Sequence, residues 1–282
     1  MDELDLIDET FDKDRTEVYE LSIQVSLNGF SFAVKDTIRN TYIVLVSKQF
    51  SSTIIGHEKW ASEVDKMVLD YPILTQKFKR VLFSYALSQY TIVPNDLFVV
   101  ERIKDLFELT QPLPDQSELH HTSVTNGSSY VLIFSMPYSL STAWLKIQSK
   151  TKFVAPVTPL FFNADILRVD KLMQIYFSEQ QLSIVYHEDE KFVASNAYNY
   201  RTVEDAAYYI LSFCKGLKLD FSQVNVHVLG YSINNDDISK LLQNYFAQVS
   251  SDIHYNSIHF SYQLLRHRVK YYTLFNATAI CE

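Results

Sequence analysis

The side chains capable of acid–base catalysis or metal binding are scattered along the chain. His120 and His121 are adjacent, but the prolines and polar residues around them predict a loop, where a histidine pair is more often solvated than bound to a metal. His254 and His259 are five residues apart, a spacing that does not share one face of a helix. Residues 187–190, His-Glu-Asp-Glu, resemble an acid–base cluster, yet they separate two predicted strands and fit a polar turn better. We therefore expect no catalytic residue and no metal ligand in these groups.

Glycine is scarce, which argues against the loops that usually bind nucleotide phosphates. The chain has 5 glycines among 282 residues, about 2% against an average usage of roughly 7%. Phosphate-binding loops need several neighbouring glycines, because their backbone N–H groups must approach the anion closely. The glycines here stand far apart, and neither GxGxxG nor GxxxxGKS/T occurs. The GxSxG motif of serine hydrolases is also absent.

The charge and the start of the chain argue against nucleic acids and membranes as partners. The formal net charge is −8, so contact with a phosphate backbone would bring no net gain from counterion release. The acidic start, MDELDLIDETFDKD, has neither the basic region nor the apolar run of a signal peptide. No window approaches the ~18 apolar residues of a membrane span. We expect no nucleic-acid binding and no membrane insertion.

The cysteines and the hydrophobic content indicate a folded protein of the cytoplasm. Cys214 and Cys281 form no CxxC pair, which argues against a zinc site or a redox motif. Two lone cysteines in so long a chain fit a reducing compartment. Hydrophobic residues make up 47% of the chain, enough for a core in one large or two modest domains. We expect a cytoplasmic localisation and no cofactor.

The hydrophobic pattern of the first half predicts a three-stranded meander followed by helices and strands. Two strands flank Asn28-Gly29, which should supply the positive φ of a tight hairpin turn. A third strand covers 41–46, and a helix containing Trp60 ends before Pro72. The remaining predicted elements are a helix at 78–87, a strand at 90–93, a helix at 95–109, a loop at 111–129, a strand at 130–134 and a helix at 137–150.

The second half repeats this series. Its predicted strands cover 172–176, 182–186 and 192–197. Thr202 should cap the following helix with Asp205, and Gly216 should end it. A strand at 224–229, a helix from 236 or 237 to 246, a strand at 258–265 and a short C-terminal helix within 271–281 complete the prediction. We place a domain boundary between the lobes 1–157 and 158–282.

An internal repeat links the two halves. Residues 23–36 align without gaps to residues 175–188, at a constant offset of 152, and three positions are identical: Ile23 with Ile175, Ser26 with Ser178, and Ser31 with Ser183. Each copy is the first hairpin of a meander that leads into helix, strand and helix. The sequence therefore predicts a duplicated unit.

A tandem of two β-β-β-α-β-α units resembles the actin-like ATPase fold that actin, Hsp70 and sugar kinases share. More closely, the chain resembles a family of Bacteroides-type bacterial proteins with this fold and no assigned activity. Three segments carry the resemblance best: DILRVD at 165–170, NYRTVEDAAYYI at 199–210 and HVLGYSI at 227–233. The resemblance implies an α/β, ribonuclease H-like fold of two lobes, each a β-meander followed by α-β-α units.

The resemblance also indicates where a nucleotide would bind. In catalytic members, each first hairpin binds phosphate through an Asp-x-Gly turn whose Asp holds the Mg²⁺ shell. The first turn here reads Ser26-Leu-Asn-Gly and the second Ser178-Glu-Gln-Gln, so neither has the Asp, and Glu179 would repel phosphate. The usual Gly-Gly pair of the adenosine site reads Gly230-Tyr231. The implied nucleotide-binding residues are thus degenerate: Ser26, Asn28, Gly29, Ser178, Gly230 and Tyr231.

These departures favour simpler explanations of the same residues. Ser26 and Ser178 are interpreted as hairpin hydroxyls, and Gly230 as a turn that needs positive φ. Two hypotheses of function follow. The first is a non-catalytic interaction or scaffold module with a protein partner, by analogy with the bacterial pilus protein of this fold. The alternative is a nucleotide or small-anion sensor that uses the interlobe cleft without ATP hydrolysis. An unrelated enzyme activity has no residue to support it.

Overall fold

The structure is a computed structural model that describes residues 3–54, 56, 58–87, 89–124, 129–162, 169–178, 181–230, 235–251 and 258–277. The strands of the first half are β1 (Leu4–Ile7), β2 (Tyr19–Val25), β3 (Gly29–Asp36), β4 (Thr41–Gln49), β5 (Arg80–Tyr85), β6 (Tyr90–Pro94), β7 (Ser117–Val124), β8 (Tyr130–Pro137) and β9 (Lys152–Phe153). Those of the second half are β10 (Lys171–Phe177), β11 (Gln181–Glu188), β12 (Lys191–Asn199), β13 (Asn225–Gly230), β14 (Gln248–Ser250) and β15 (His259–Phe260). The helices are α1 (Lys59–Asp70), α2 (Ile103–Glu108), α3 (Tyr138–Leu145), α4 (Thr158–Phe162), α5 (Val203–Gly216), α6 (Asn235–Leu242) and α7 (Tyr272–Asn276).

The described strands form three sheets. The first has the order β1-β4-β3-β2-β5-β9, and β15 also pairs with β4. The second has the order β12-β11-β10-β13-β14, and the third has the order β6-β8-β7. In the first and second sheets, an antiparallel meander is followed by a parallel strand, β5 beside β2 and β13 beside β10. The helices between them supply the crossover that a parallel pair requires.

The strand registers confirm the predicted repeat. β2 and β3 pair from Tyr19 with Asp36 to Val25 with Phe30. β10 and β11 pair from Lys171 with Glu188 to Phe177 with Leu182, each position 152 residues later. The irregularity between the second and third strands also recurs, after Val34 in one lobe and after Tyr186 in the other.

The second lobe buries one face of its sheet under α5. Alternate residues of β10, Met173, Ile175 and Phe177, pack against the apolar face of this helix. Thr202 and Asp205 form the predicted capping box. The predicted glycine cap is wrong, because Gly216 is still helical and Lys218 adopts the positive φ of 56°. The N–H of Leu219 then reaches the carbonyl of Cys214 at 3.0 Å, so backbone bonds close the helix without glycine.

Several predicted elements of the first half are wrong. The helix at 78–87 is strand β5, a buried run that lies between β2 and β9, and such a run does not distinguish a helix from a strand. The loop at 111–129 contains β7, which pairs with β8. The helix at 95–109 is confined to α2 after two short 3₁₀ turns. Together β6, β7 and β8 form a small sheet that the repeat alone did not predict, because the second lobe has no counterpart among its described residues.

The C-terminal segment contacts both lobes. β15 pairs with β4 of the first sheet. The predicted C-terminal helix is confirmed as α7, whose residues are all buried and which packs on β2 and β3 of the first lobe and on β13 of the second. The predicted strand at 258–265 is only the two residues of β15.

The domain boundary after residue 157 remains a prediction. Within the described ranges, no helix combines the length and apolar character needed to span a bilayer.

Candidate functional site

The turns of the two first hairpins face one cavity between the lobes, with a volume of about 180 Å³. Ser26, Leu27 and Asn28 line it from the first lobe. Ser178 lines it from the second lobe, and Lys270 from the C-terminal segment. The two turns that the repeat related are therefore close in space. Of the six predicted nucleotide-binding residues, Ser26, Asn28 and Ser178 line this cavity.

The two turns share a pair of hydrogen bonds from serine to a carbonyl three residues later. The N–H of Ser26 donates to the carbonyl of Gly29 at 2.8 Å, and the N–H of Ser178 donates to the carbonyl of Gln181 at 2.8 Å. Each serine hydroxyl donates to the same carbonyl as its own N–H, at 3.3 Å in the first turn and 2.9 Å in the second. Both hydroxyls therefore bond within their own turns, as the hairpin interpretation expects.

The prediction that Asn28-Gly29 supplies positive φ is wrong. Neither residue has a positive φ. Strand β2 ends at Val25 and β3 begins at Gly29, so three residues connect them. Gly29 is required for another reason: a Cβ at this position would lie 2.2 Å from the carbonyl oxygen of Lys48. The acceptor oxygens of Asn28 also have donors within the chain. Its carbonyl accepts a hydrogen bond from the N–H of Phe50 at 2.8 Å, and its Oδ1 accepts one from the hydroxyl of Thr53 at 2.8 Å.

Gly230 does have the predicted positive φ, at 82°. A Cβ here would lie 2.2 Å from the carbonyl oxygen of Phe177 and 2.7 Å from the ring of Tyr176. The N–H of Gly230 donates to the carbonyl of Val269 at 3.0 Å. Close packing behind the second hairpin thus accounts for this glycine without a ligand. Tyr231 lies outside the described residues.

The cavity carries little charge. Among its described lining residues, Lys270 alone has a charged side chain, with its ammonium nitrogen 5.7 Å from the centre of the Tyr271 ring. No carboxylate is among them, whereas Mg²⁺ is usually held by carboxylates together with phosphate oxygens. Across the described residues, no group of three or more His, Cys, Asp or Glu is placed to hold a metal ion.

A chain of hydrogen bonds joins the lobes beside the cavity. The side-chain N–H of Gln24 donates to the hydroxyl of Tyr176 at 3.2 Å, and the hydroxyl of Thr273 on α7 donates to Oε1 of Gln24 at 3.1 Å. Burial raises the pKa of Tyr176 above its usual value, so the phenol stays protonated. Gln24 and Tyr176 occupy equivalent positions of the repeat, 152 residues apart. That offset was the signal that could have identified this contact from sequence.

A family model described as a protein of unknown function (DUF3822) matches residues 8–249. The chain belongs to this family. No curated protein matches it. A crystal structure from Bacteroides thetaiotaomicron, of a protein with actin-like ATPase fold and unknown function, has a TM-score of 0.81 at 20% identity and covers 97% of this chain and 100% of that one. The structure of the PilM-PilN type IV pilus biogenesis complex has a TM-score of 0.60 at 10% identity and covers 94% of this chain and 99% of that one. The predicted actin-like ATPase fold is thereby confirmed.

None of the described histidines that the sequence analysis considered is among the residues that line the cavity of this DUF3822 protein. His120 and His121 belong to strand β7 and not to a loop, and His120 pairs with Glu118 at 2.8 Å. His187 is also not in a turn: it is a strand residue, 2% exposed, and burial lowers its pKa to about 4. The polar turn is only Asp189-Glu190, whose φ angles of 50° and 64° are those of a two-residue hairpin turn. His254 lies outside the described residues.

Proposed function

We propose that this chain is a non-catalytic interaction module, in which the phosphate and adenosine loops of the actin-like fold have degenerated. The observation that carries the proposal is the cavity between the two first hairpins. Its described lining has no carboxylate to organise a metal ion. Its volume of about 180 Å³ is below the roughly 300–1,000 Å³ of typical small-molecule sites.

The surroundings of the cavity support the same proposal. Both serine hydroxyls bond inside their turns, and Gln24 joins the lobes through Tyr176 and Thr273. These hydroxyl and amide groups of the cavity lining are thus already hydrogen-bonded within the chain. PilM, a protein of the same fold, forms a complex with PilN, so the fold serves protein assembly in that case. For this chain, a protein partner of that general kind is our proposal.

The test is a nucleotide panel measured by melting temperature and by phosphate release. ATP, ADP and GTP with Mg²⁺ are expected to leave the melting temperature unchanged and to release no phosphate above a heat-inactivated sample. A ligand present at 100 times its Kd would stabilise the fold by about 2.7 kcal/mol, which such a melt resolves. Phosphate release by the native chain would refute the proposal.

Lys270 favours one alternative, a small-anion sensor without hydrolysis. It lines the cavity together with Ser26 and Ser178, and a cation beside hydroxyls suits an anion. The panel therefore includes inorganic phosphate. If phosphate raises the melting temperature of the original chain but not that of Lys270→Met, the sensor is the better hypothesis. If neither protein shows a shift, the result supports the interaction module.

A further inference from the structure

A larger groove, of about 890 Å³, runs between two strands that each end a sheet. β6 ends the third sheet and β12 ends the second, and in the described part of the chain no strand pairs with their outer sides. The groove is lined by the consecutive residues 89–92 on one side and 194–197 on the other. Successive side chains of a strand point to opposite faces of its sheet. Because consecutive residues line this groove, it follows the outer backbone edges of β6 and β12 and not one face of either sheet.

The outer edge of β12 presents backbone groups to this groove. In the adjoining pair of β10 and β11, the N–H of Ser178 bonds to Gln181 and the N–H of Asp189 bonds to Asp170. The backbone N–H and C=O groups of the odd-numbered residues of β11 therefore point toward β10. The backbone groups of the even-numbered residues of β11 then point toward β12. Ile184 is opposite Asn196, so the even-numbered residues of β12 bond to β11. It follows that the N–H and C=O groups of residues 195 and 197 point away from β11, into the groove.

A second observation agrees with this direction. The N–H of Ala197 donates to Oδ1 of the neighbouring Asn196 at 2.8 Å. A side chain of the same strand thus covers one outward N–H, which is a common way to protect an open edge. The Asn196 amide is on the exposed surface and can move away when another acceptor arrives.

The outer edge of β6 is open in the same way. The carbonyl of Gln89 accepts the N–H of Ser135, and the N–H of Asn95 donates to Ser129, so the odd-numbered residues bond to β8. The even-numbered residues therefore face the groove. The carbonyl of Tyr90 confirms the direction, because it accepts the side-chain N–H of Gln111 at 2.7 Å. Ile92 remains with its backbone groups directed outward.

The lining of the groove selects for an uncharged occupant. Charged residues are 21% of the chain, yet the described lining contains none of them: it consists of amides, hydroxyls, aromatic rings and small apolar side chains. A charged group placed here would lose its hydration without a counter-ion. The hydroxyls of Tyr90 and Ser195 bond across the groove at 2.8 Å and link its two sides.

We propose that this groove binds an extended, uncharged segment of a partner polypeptide, which pairs with the outer edge of β12 at residues 195–199. Backbone hydrogen bonds to the edge provide affinity, and the uncharged lining provides selectivity. The proposal rests on the proposed function, since it names the surface through which the interaction module acts.

The experiment selects nine-residue peptides from a displayed random library against the full chain, and measures binding of the synthetic peptides by fluorescence polarisation. We expect the selected peptides to lack charged residues at their central positions. In hydrogen exchange, the bound peptide should slow the amides of Ser195 and Ala197.

Two matched variants test the position. Ala197→Lys places a charge in the groove and should weaken peptide binding at least about tenfold. Val193→Lys adds the same charge on the same strand, but at a residue that is 46% exposed and does not line the groove, so it should bind like the original chain. Ala197→Pro removes an N–H that does not bond to β11 and should also weaken binding. A melting curve of each variant checks that it is folded.

Three results would overturn the proposal: selected peptides with charged centres, equal binding by the two lysine variants, or a selection that yields no binder. If the chain self-associates and Ala197→Lys abolishes that self-association, the groove binds a second copy of the chain instead. A peptide that binds elsewhere would contradict this groove and leave the interaction module intact. Phosphate release would contradict the interaction module without bearing on the groove.

Discussion

The two first hairpins share one serine-to-carbonyl hydrogen-bond pattern but have different residues at the end of their turns. Gly29 ends the first turn and Gln181 ends the second, and each accepts a serine N–H at 2.8 Å. The first position requires glycine because the backbone of Lys48 comes too close for a Cβ. The second accepts a long side chain. The difference shows that the glycine serves strand packing in one lobe and is not a remnant that both turns need.

The largest expected effect concerns these equivalent positions. Gly29→Ala should lower the free energy of unfolding by about 3 kcal/mol, because the new methyl group meets backbone and not a movable side chain. Gln181→Ala, the matched change in the other turn, should cost less than about 1 kcal/mol. Urea unfolding followed by circular dichroism measures both. Equal losses would show that the two turns are under the same constraint.

The next effect depends on pH and tests a second difference between the meanders. His187 occupies the position that Lys35 holds in the first lobe, and burial lowers the pKa of His187 to about 4 from 6.5. Between these values the unfolded chain binds more protons, so stability falls as pH drops from about 6.5 to about 4. The loss should approach roughly 3 kcal/mol.

His187→Leu should flatten this part of the pH dependence, as measured by urea unfolding at pH 7 and at pH 4.5. His121→Asn, at an exposed residue of strand β7, is the control for the removal of a histidine. Burial also lowers the pKa of His227, so a smaller slope should persist in the His187 variant. An unchanged slope would contradict the prediction.

A third prediction concerns the contact that joins the equivalent strands. Tyr176→Phe removes the hydroxyl that accepts a hydrogen bond from Gln24. Gln24→Met removes both hydrogen bonds of the Gln24 side chain, to Tyr176 and to Thr273. A double-mutant cycle of the two should give a coupling energy of about 1 kcal/mol. Additive losses within the error of the cycle would show that the pair does not link the lobes energetically.

The smallest expected effect compares the first long helix of each lobe. Thr202 caps α5 through a complete capping box, whereas Glu58 before α1 makes no side-chain cap bond. Thr202→Ala should therefore cost about 1 kcal/mol, and Glu58→Ala only a few tenths. Thermal unfolding of the two variants measures the difference, and a larger loss for Glu58→Ala would contradict it.

Local patterns were sufficient for the elements whose evidence lies within a few residues. The capping box at Thr202 and Asp205 is one example, and the alternation on both sides of the two first turns is another. The same patterns failed where neighbours decide the outcome. Residues 80–85 form a strand because β2 and β9 flank them, although their apolar run also fits a helix.

The candidate site shows the same division. The offset of the repeat located Ser26 and Ser178, which do meet at one cavity. It did not explain Gly29, whose reason is the backbone of β4, nor the burial of His187 between the rings of Phe161 and Phe192. It also did not indicate that α7 packs between the lobes, since that contact joins residues more than 200 positions apart.

The sequence by itself determined the duplicated α/β plan, the absence of glycine-rich phosphate loops and the offset at which equivalent residues recur, because composition and side-chain periodicity are properties of the chain alone. Only the tertiary structure decided which glycine is indispensable, which histidine is desolvated and which strand edges face a groove. These depend on distances between segments that are remote in sequence, and the folded backbone alone sets those distances.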